Sequence, residues 1–142
     1  MHQLLFIAEL DSSSSIIAFT AYSTESINYS AGQHYLYNGM IVNNGNHFQP
    51  TSSYFICPDD QLYFFSIDIM SDSDANVHGT IMIEDTLLVM AYAGKTTHET
   101  ETSALAISRC ARGKKVWVRE YGGGVVFSNG NRHVSFTGFR LN

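Results

Sequence analysis

Apolar and polar positions along this chain alternate in short runs that break at Gly, Asn, Asp and Ser, the pattern of half-buried β-strands. The clearest run covers residues 54–70. Pro58-Asp59-Asp60 reads as a turn inside it. Beyond the turn, Tyr63, Phe65, Ile67 and Ile69 share one face of an extended strand, with Ser66 and Asp68 on the other. Residues 17–22, 80–84, 86–92, 102–108, 115–121 and 133–141 follow the same style. No helix-period stripe persists for three turns, and no internal repeat is present. Many short strands without helical crossovers predict an all-β sandwich or jelly roll rather than a parallel sheet.

Composition narrows the partners. A chain of 142 residues, 44% hydrophobic, is one domain with enough apolar surface to bury a core. Charged residues make up 15%, below the usual ~25%, so Ser, Thr and Asn must cover the surface and part of it is available for burial in an oligomer. A net charge of −5 leaves no basic stripe for nucleic acid. No apolar run approaches the roughly 18 residues that span a bilayer, so membrane insertion is not expected. The apolar stretch within Met1 to Leu10 is shorter than a signal-peptide core and has no basic flank. Ser12 to Ser15 read as a linker, which sets an N-terminal segment at 1–16 and a globular domain at 17–142. Cys57 and Cys110 are too far apart for a C-x-x-C motif, and by count alone buried free thiols lead slightly over a bridge.

Between Tyr37 and Ile67 the spacing of aromatics resembles the signature of the complement C1q globular domain. That signature runs aromatic, five residues, Asn or Asp, four residues, aromatic, six residues, Phe, five residues, then Gly-x-Tyr-x-Phe-x-aromatic. Tyr37, Asn43, Phe48, Phe55, Tyr63 and Phe65 fall at those spacings. Ala18-Phe19-Thr20-Ala21, Lys115-Val116-Trp117-Val118 and Ser135-Phe136-Thr137-Gly138-Phe139 match in the same order, so the resemblance covers about residues 17–141. Tyr37 replaces the first Phe, Gln61 the signature Gly, Ile67 the last aromatic, and Lys114 an Asp after the turn at Gly113. Gln61 suggests a relaxed turn at Asp59-Asp60. The resemblance implies a jelly-roll β-sandwich of about ten antiparallel strands that assembles as a homotrimer. It also implies a Cys57–Cys110 disulfide, because secreted relatives carry cysteines at these two places.

Candidate chemistry is sparse. No G-x-S-x-G elbow, H-E-x-x-H, P-loop or dinucleotide fingerprint occurs, so no enzyme is expected. Gly122-Gly123-Gly124 precedes β-like Val125-Val126-Phe127 rather than a helix, and reads as a loop. His2, His34, His47, His78, His98 and His133 are scattered without metal-ligand spacing and read as surface or structural residues. Asp72-Ser73-Asp74-Ala75-Asn76 opens like an EF-hand loop, but Val77 and Ile83 occupy its sixth and twelfth positions and strands replace its helices. By resemblance, family trimers hold calcium near their axis. Asp74, Asn76 and Asp85 are the candidate ligands here, a solvated acidic loop being the commoner explanation of such a stretch.

For ligand binding, the polar and aromatic loops offer Tyr92, Lys95, His98, Tyr121, Asn129, Asn131 and Arg132. Polar loops are ordinarily just solvated, so no one of these residues stands alone. Asn28-Tyr29-Ser30 is a glycosylation sequon, consistent with an extracellular protein. The resemblance implies a secreted lectin of innate immunity that binds glycans on cell or microbial surfaces. A protein-binding ligand, or a structural trimerisation module, are the alternatives on the same fold.

Overall fold

The computed structural model describes residues 16–141, and twelve strands lie among them. They are β1 (Ala18–Ser23), β2 (Ile27–Tyr29), β3 (Gly39–Asn44), β4 (Phe48–Gln49), β5 (Tyr54–Ile56), β6 (Gln61–Ser71), β7 (Val77–Ile83), β8 (Thr86–Ala93), β9 (Thr100–Cys110), β10 (Lys115–Glu120), β11 (Gly124–Val126) and β12 (Val134–Arg140). Four of them have only two or three residues. The eight longer ones carry the sandwich expected from the alternation. The segment read as an N-terminal stretch and Ser-rich linker falls, except for Ile16, outside the described residues.

One sheet runs β2-β11-β6-β12-β1-β3, with β9 on the other side of β6. The second runs β4-β5-β10-β7-β8. Every pairing is antiparallel, and the longest joins Gln61–Ser71 to Thr100–Cys110 residue for residue. The two sheets face each other through period-two side chains. Phe19, Tyr63, Phe65, Ile67, Ile69 and Phe136 come from the first sheet, and Phe48, Phe55, Val77, Ile81, Val116 and Val118 from the second, all buried. Phe19 is the hub. Its ring stacks on Phe48 at 4.8 Å and Phe55 at 4.9 Å, and meets Phe136 edge-on at 4.9 Å. A ring cluster of this kind adds directional preference to apolar burial.

The spaced residues of the signature now have physical reasons. Tyr37, Phe48, Phe55, Tyr63 and Phe65 are core residues. Asn43 closes the β3–β4 turn, its Nδ2 donating to the Phe48 carbonyl at 2.9 Å and its Oδ1 accepting from the Phe48 amide at 3.2 Å. Gly138 lies where a Cβ would come within 2.5 Å of Phe19 and 2.8 Å of Phe65, so the strand can pass over those rings only without a side chain.

Two expectations about this end of the sandwich meet different outcomes. Cys57 and Cys110 form a disulfide with Cα atoms 6.4 Å apart, joining the exit of β5 in one sheet to the end of β9 in the other. The relaxed turn expected at Asp59-Asp60 is instead pinned. The Tyr63 hydroxyl bonds Asp59 Oδ1 at 2.7 Å, and Arg140 from β12 reaches Asp59 Oδ2 at 2.8 Å. Of these contacts the Tyr63 one is local, four residues from Asp59, and the Arg140 one comes from a strand far along the chain.

Candidate functional site

At the other end of the sandwich, β6, β8 and β10 finish and β7, β9 and β11 begin. The loops 72–76, 94–99 and 121–123 therefore gather there. The Asp74 amide donates to the Thr96 carbonyl at 2.7 Å and the Asp72 amide to the Val125 carbonyl at 3.1 Å, which fastens the loops to one another. Gly124 packs so closely on the Asn76 carbonyl that a Cβ would collide with it.

Under these loops lies Glu120, fully buried. In β10 it shares inward parity with Val116 and Val118, so strand geometry alone turns it into the core. Its Oε1 accepts from the Tyr35 hydroxyl at 2.7 Å. Its Oε2 accepts from the backbone amides of His78 at 3.0 Å, Gly123 at 3.0 Å and Gly122 at 3.3 Å. Burial, reinforced by this carboxylate, drives the Tyr35 hydroxyl far above the ordinary phenol value and keeps it a donor. Tyr35 in turn stacks flat on Tyr29 at 4.4 Å. A buried acceptor with four donors is a rigid fixture. Here it sets the backbone from which His78 and Tyr121 project.

On the outward side of that fixture three rings meet. His78 lies 4.6 Å from Tyr92 and 6.1 Å from Tyr121, centroid to centroid. The two tyrosines are 53% and 55% exposed. The Arg119 guanidinium sits 5.9 Å over the Tyr121 ring, within cation–π reach. Thr80 Oγ1 and Arg119 Nε are buried without a hydrogen-bond partner among the described residues, and buried His78 Nδ1 has none either but faces Glu120 Oε2 at 3.8 Å. They occupy adjoining outward positions, Thr80 being the register partner of Arg119 and two residues from His78.

The structure sorts the sequence-predicted residues into separate places. Tyr92 and Tyr121 come together around His78. Lys95 and His98 stay in the exposed 94–99 loop, where the Thr96 hydroxyl bonds the His98 carbonyl at 2.6 Å. Asn129, Asn131 and Arg132 belong to the β11–β12 loop on the other sheet, with Arg132 stacked 4.0 Å over Tyr22. His78, Arg119 and Glu120 were missed. The inward parity of Glu120 and the Gly122-Gly123 that follows it were the available signals, because small residues let backbone amides converge on one acceptor.

Asp74, Asn76 and Asp85 do not converge. The first two precede β7 and Asp85 follows it, so the length of the strand, roughly 20 Å, separates them. Among the described residues no group of three or more His, Cys, Asp or Glu side chains is placed to hold a metal ion. Within one chain these residues do not fit a calcium site. A groove of about 340 Å³ lies at the disulfide end, between Ile83, Glu84 and Leu88 on one wall and Ser108, Arg109 and Cys110 on the other. None of the predicted ligand residues reaches it.

Comparison with known proteins defines the class. The C1q domain profile matches residues 18–141, and the chain belongs to the C1q domain family. It is similar to the mouse proteins named complement C1q tumor necrosis factor-related protein 3, 29% identical over 108 residues, and protein 6, 25% identical over 130 residues. The matches cover 75% and 84% of this chain but 44% and 49% of those proteins, so it spans about half the length of the curated relatives it matches. Among solved structures, the globular domain of zebrafish complement 1qA superposes with a TM-score of 0.73 at 17% identity, covering 89% of this chain and 98% of that one. Murine APRIL at pH 5.0 superposes with 0.70 at 7% identity, covering 89% and 100%. The fold is thus the jelly roll shared by C1q and TNF domains. Trimeric assembly is typical of the family, which is generally non-enzymatic and consists of recognition or ligand-binding modules.

Proposed function

We propose that this chain is an extracellular, trimeric recognition module that binds carbohydrate through Tyr92, His78, Tyr121 and Arg119. The observation that carries the proposal is the pair of half-exposed tyrosines held either side of His78 on the Glu120 fixture. Sugar rings present apolar faces that stack on aromatic rings and hydroxyls that need donors and acceptors, and this surface offers both kinds of group. The outward face of the β6–β9–β12 region supports the trimer. Leu105 and Ile107 are 62% and 59% exposed there, beside Leu62, Phe64 and Phe139. Packing that face together leaves the ring site outside, once per copy, and three copies convert weak contacts into avidity.

The test is a glycan array probed with the wild type, Tyr92→Ala and Tyr121→Ala, followed by competition with the free sugar. Each substitution should weaken binding about tenfold, the scale of one aromatic contact. Binding abolished by Arg132→Ala and untouched by both tyrosine variants would move the site to the opposite sheet. Tyr and Arg are also the residues that dominate protein–protein contacts. A silent array, with capture of one defined receptor ectodomain that Tyr92→Ala abolishes, would convert the same surface into a protein-binding one.

A further inference from the structure

The sequon Asn28-Tyr29-Ser30 occupies β2 and the residue after it, and nothing in the recognition surface uses it. Strand geometry divides its residues sharply. Tyr29 turns inward, stacks on Tyr35 and accepts the Leu36 amide at 3.0 Å, which anchors the segment. Asn28 and Ser30 turn outward and are exposed. The Asn28 carboxamide and the Ser30 hydroxyl have no hydrogen-bond partner among the described residues. Other asparagines are committed: Asn38 to Thr24, Asn43 to Phe48, Asn44 to Ile16 and Asn129 to Asn131. Asn28 is also the only asparagine of the chain in an N-x-Ser/Thr sequence.

Its position in the sheet adds a second argument. Among the described residues β2 pairs with β11 on one side only, through Asn28↔Val125 and its neighbours, and no described strand covers its other edge. Open edges invite pairing with other chains, and natural sheets cover them. We propose that Asn28 carries an N-linked oligosaccharide that covers this edge and holds the β2 margin in solvent in the assembled protein. The inference rests on the extracellular placement proposed above. In the transfer, Asn28 Nδ2 attacks the anomeric carbon of an oligosaccharide carried on a polyprenyl pyrophosphate. The C–N bond forms as the C–O bond to the pyrophosphate breaks. The amide proton passes to a carboxylate base of the transferase, and the lipid pyrophosphate leaves with the electron pair. The glycan is compatible with trimer packing, because Ser71, where β11 joins β6, lies seven residues from Phe64 in the apolar patch, or roughly 23 Å of strand.

The test uses the full chain expressed behind an added secretion signal, with a second sequon appended after Asn142 as a reporter of entry into the secretory lumen. Intact mass and peptide mapping are compared before and after enzymatic removal of N-glycans. The expected result is modification of both sites, conversion of Asn28 to Asp on deglycosylation, and loss of one glycan in both Asn28→Gln and Ser30→Ala. Ser30→Thr should raise occupancy. Modification of the appended sequon with an unmodified Asn28 peptide would overturn the proposal while leaving the extracellular placement standing. A glycosylated protein that is monomeric where Asn28→Gln is trimeric would overturn the assignment of the β2 margin to solvent.

Discussion

At the scale of single residues, Glu120 organises more of the molecule than any exposed side chain. One carboxylate satisfies a tyrosine hydroxyl from before β3 and three amides from two other segments. Removing it leaves the buried Tyr35 hydroxyl and three part-buried amides without their acceptor, so Glu120→Ala should cost about 3 kcal/mol in a urea unfolding experiment. Glu120→Gln should cost less, since its amide oxygen still accepts while its NH2 faces donors. Both variants should weaken the proposed ligand site even where they remain folded, because His78 and Tyr121 hang on the same backbone. A stability loss below 1 kcal/mol for the alanine variant would show that the turn at 121–123 is held by something else. The inward orientation of Glu120 was legible from its parity with Val116 and Val118. The Gly122 and Gly123 amides lie beside it in sequence, but Tyr35 and His78 were not legible as partners, because they come from chain segments more than forty residues away.

At the scale of elements, the sandwich is pinned differently at its two ends. One end is held by the Cys57–Cys110 disulfide and the Asp59–Tyr63–Arg140 contacts, which link the two sheets covalently and fix the start of β6. The other end, with the ring site, is held by hydrogen bonds to Glu120 and between loops. The bridge closes 53 residues of sequence, for which chain-entropy reasoning gives about 4 kcal/mol. The double variant Cys57→Ala/Cys110→Ala should therefore unfold at a clearly lower denaturant concentration. Affinity at Tyr92 and Tyr121 should stay unchanged under native conditions, since the bridge lies at the far end of the strands. Equal loss of stability and affinity would mean that the two ends are coupled through the sheets. Strand positions were largely legible in advance, residues 54–70 best of all, whereas the two-residue β4 was not. A segment that short has no period of its own to read.

At the scale of the whole molecule, the two outward faces have different characters. The β6–β9–β12 face carries Leu62, Phe64, Leu105, Ile107 and Phe139, an apolar group unusual for a surface left in water. The β7–β8–β10 face carries the rings, the histidine and the arginine. Ile107→Asp places a charge in the middle of the first group and should shift sedimentation from trimer to monomer. Monovalent sugar affinity should survive that change while multivalent binding falls. A trimer that persists would point to a different assembly face.

The amino-acid sequence by itself determined the all-β class, the identity of the core aromatics and the family. The first two follow from local sterics, which turn alternate side chains to opposite faces and so write the core into the chain at period two. The family follows from the resemblance of the spaced residues Tyr37 to Phe65 to its signature. The tertiary structure decided where function gathers. Strand register is a long-range property, and only the pairings of His78 with Tyr92 and of Gly79 with Glu120 bring three rings from separate segments onto one surface. The same register carried Asp85 to the far end of β7 from Asp74 and Asn76 and put Arg132 on the opposite sheet from Tyr121. Residues that looked equivalent as polar loop positions were separated because a strand's length and a sandwich's thickness stand between them.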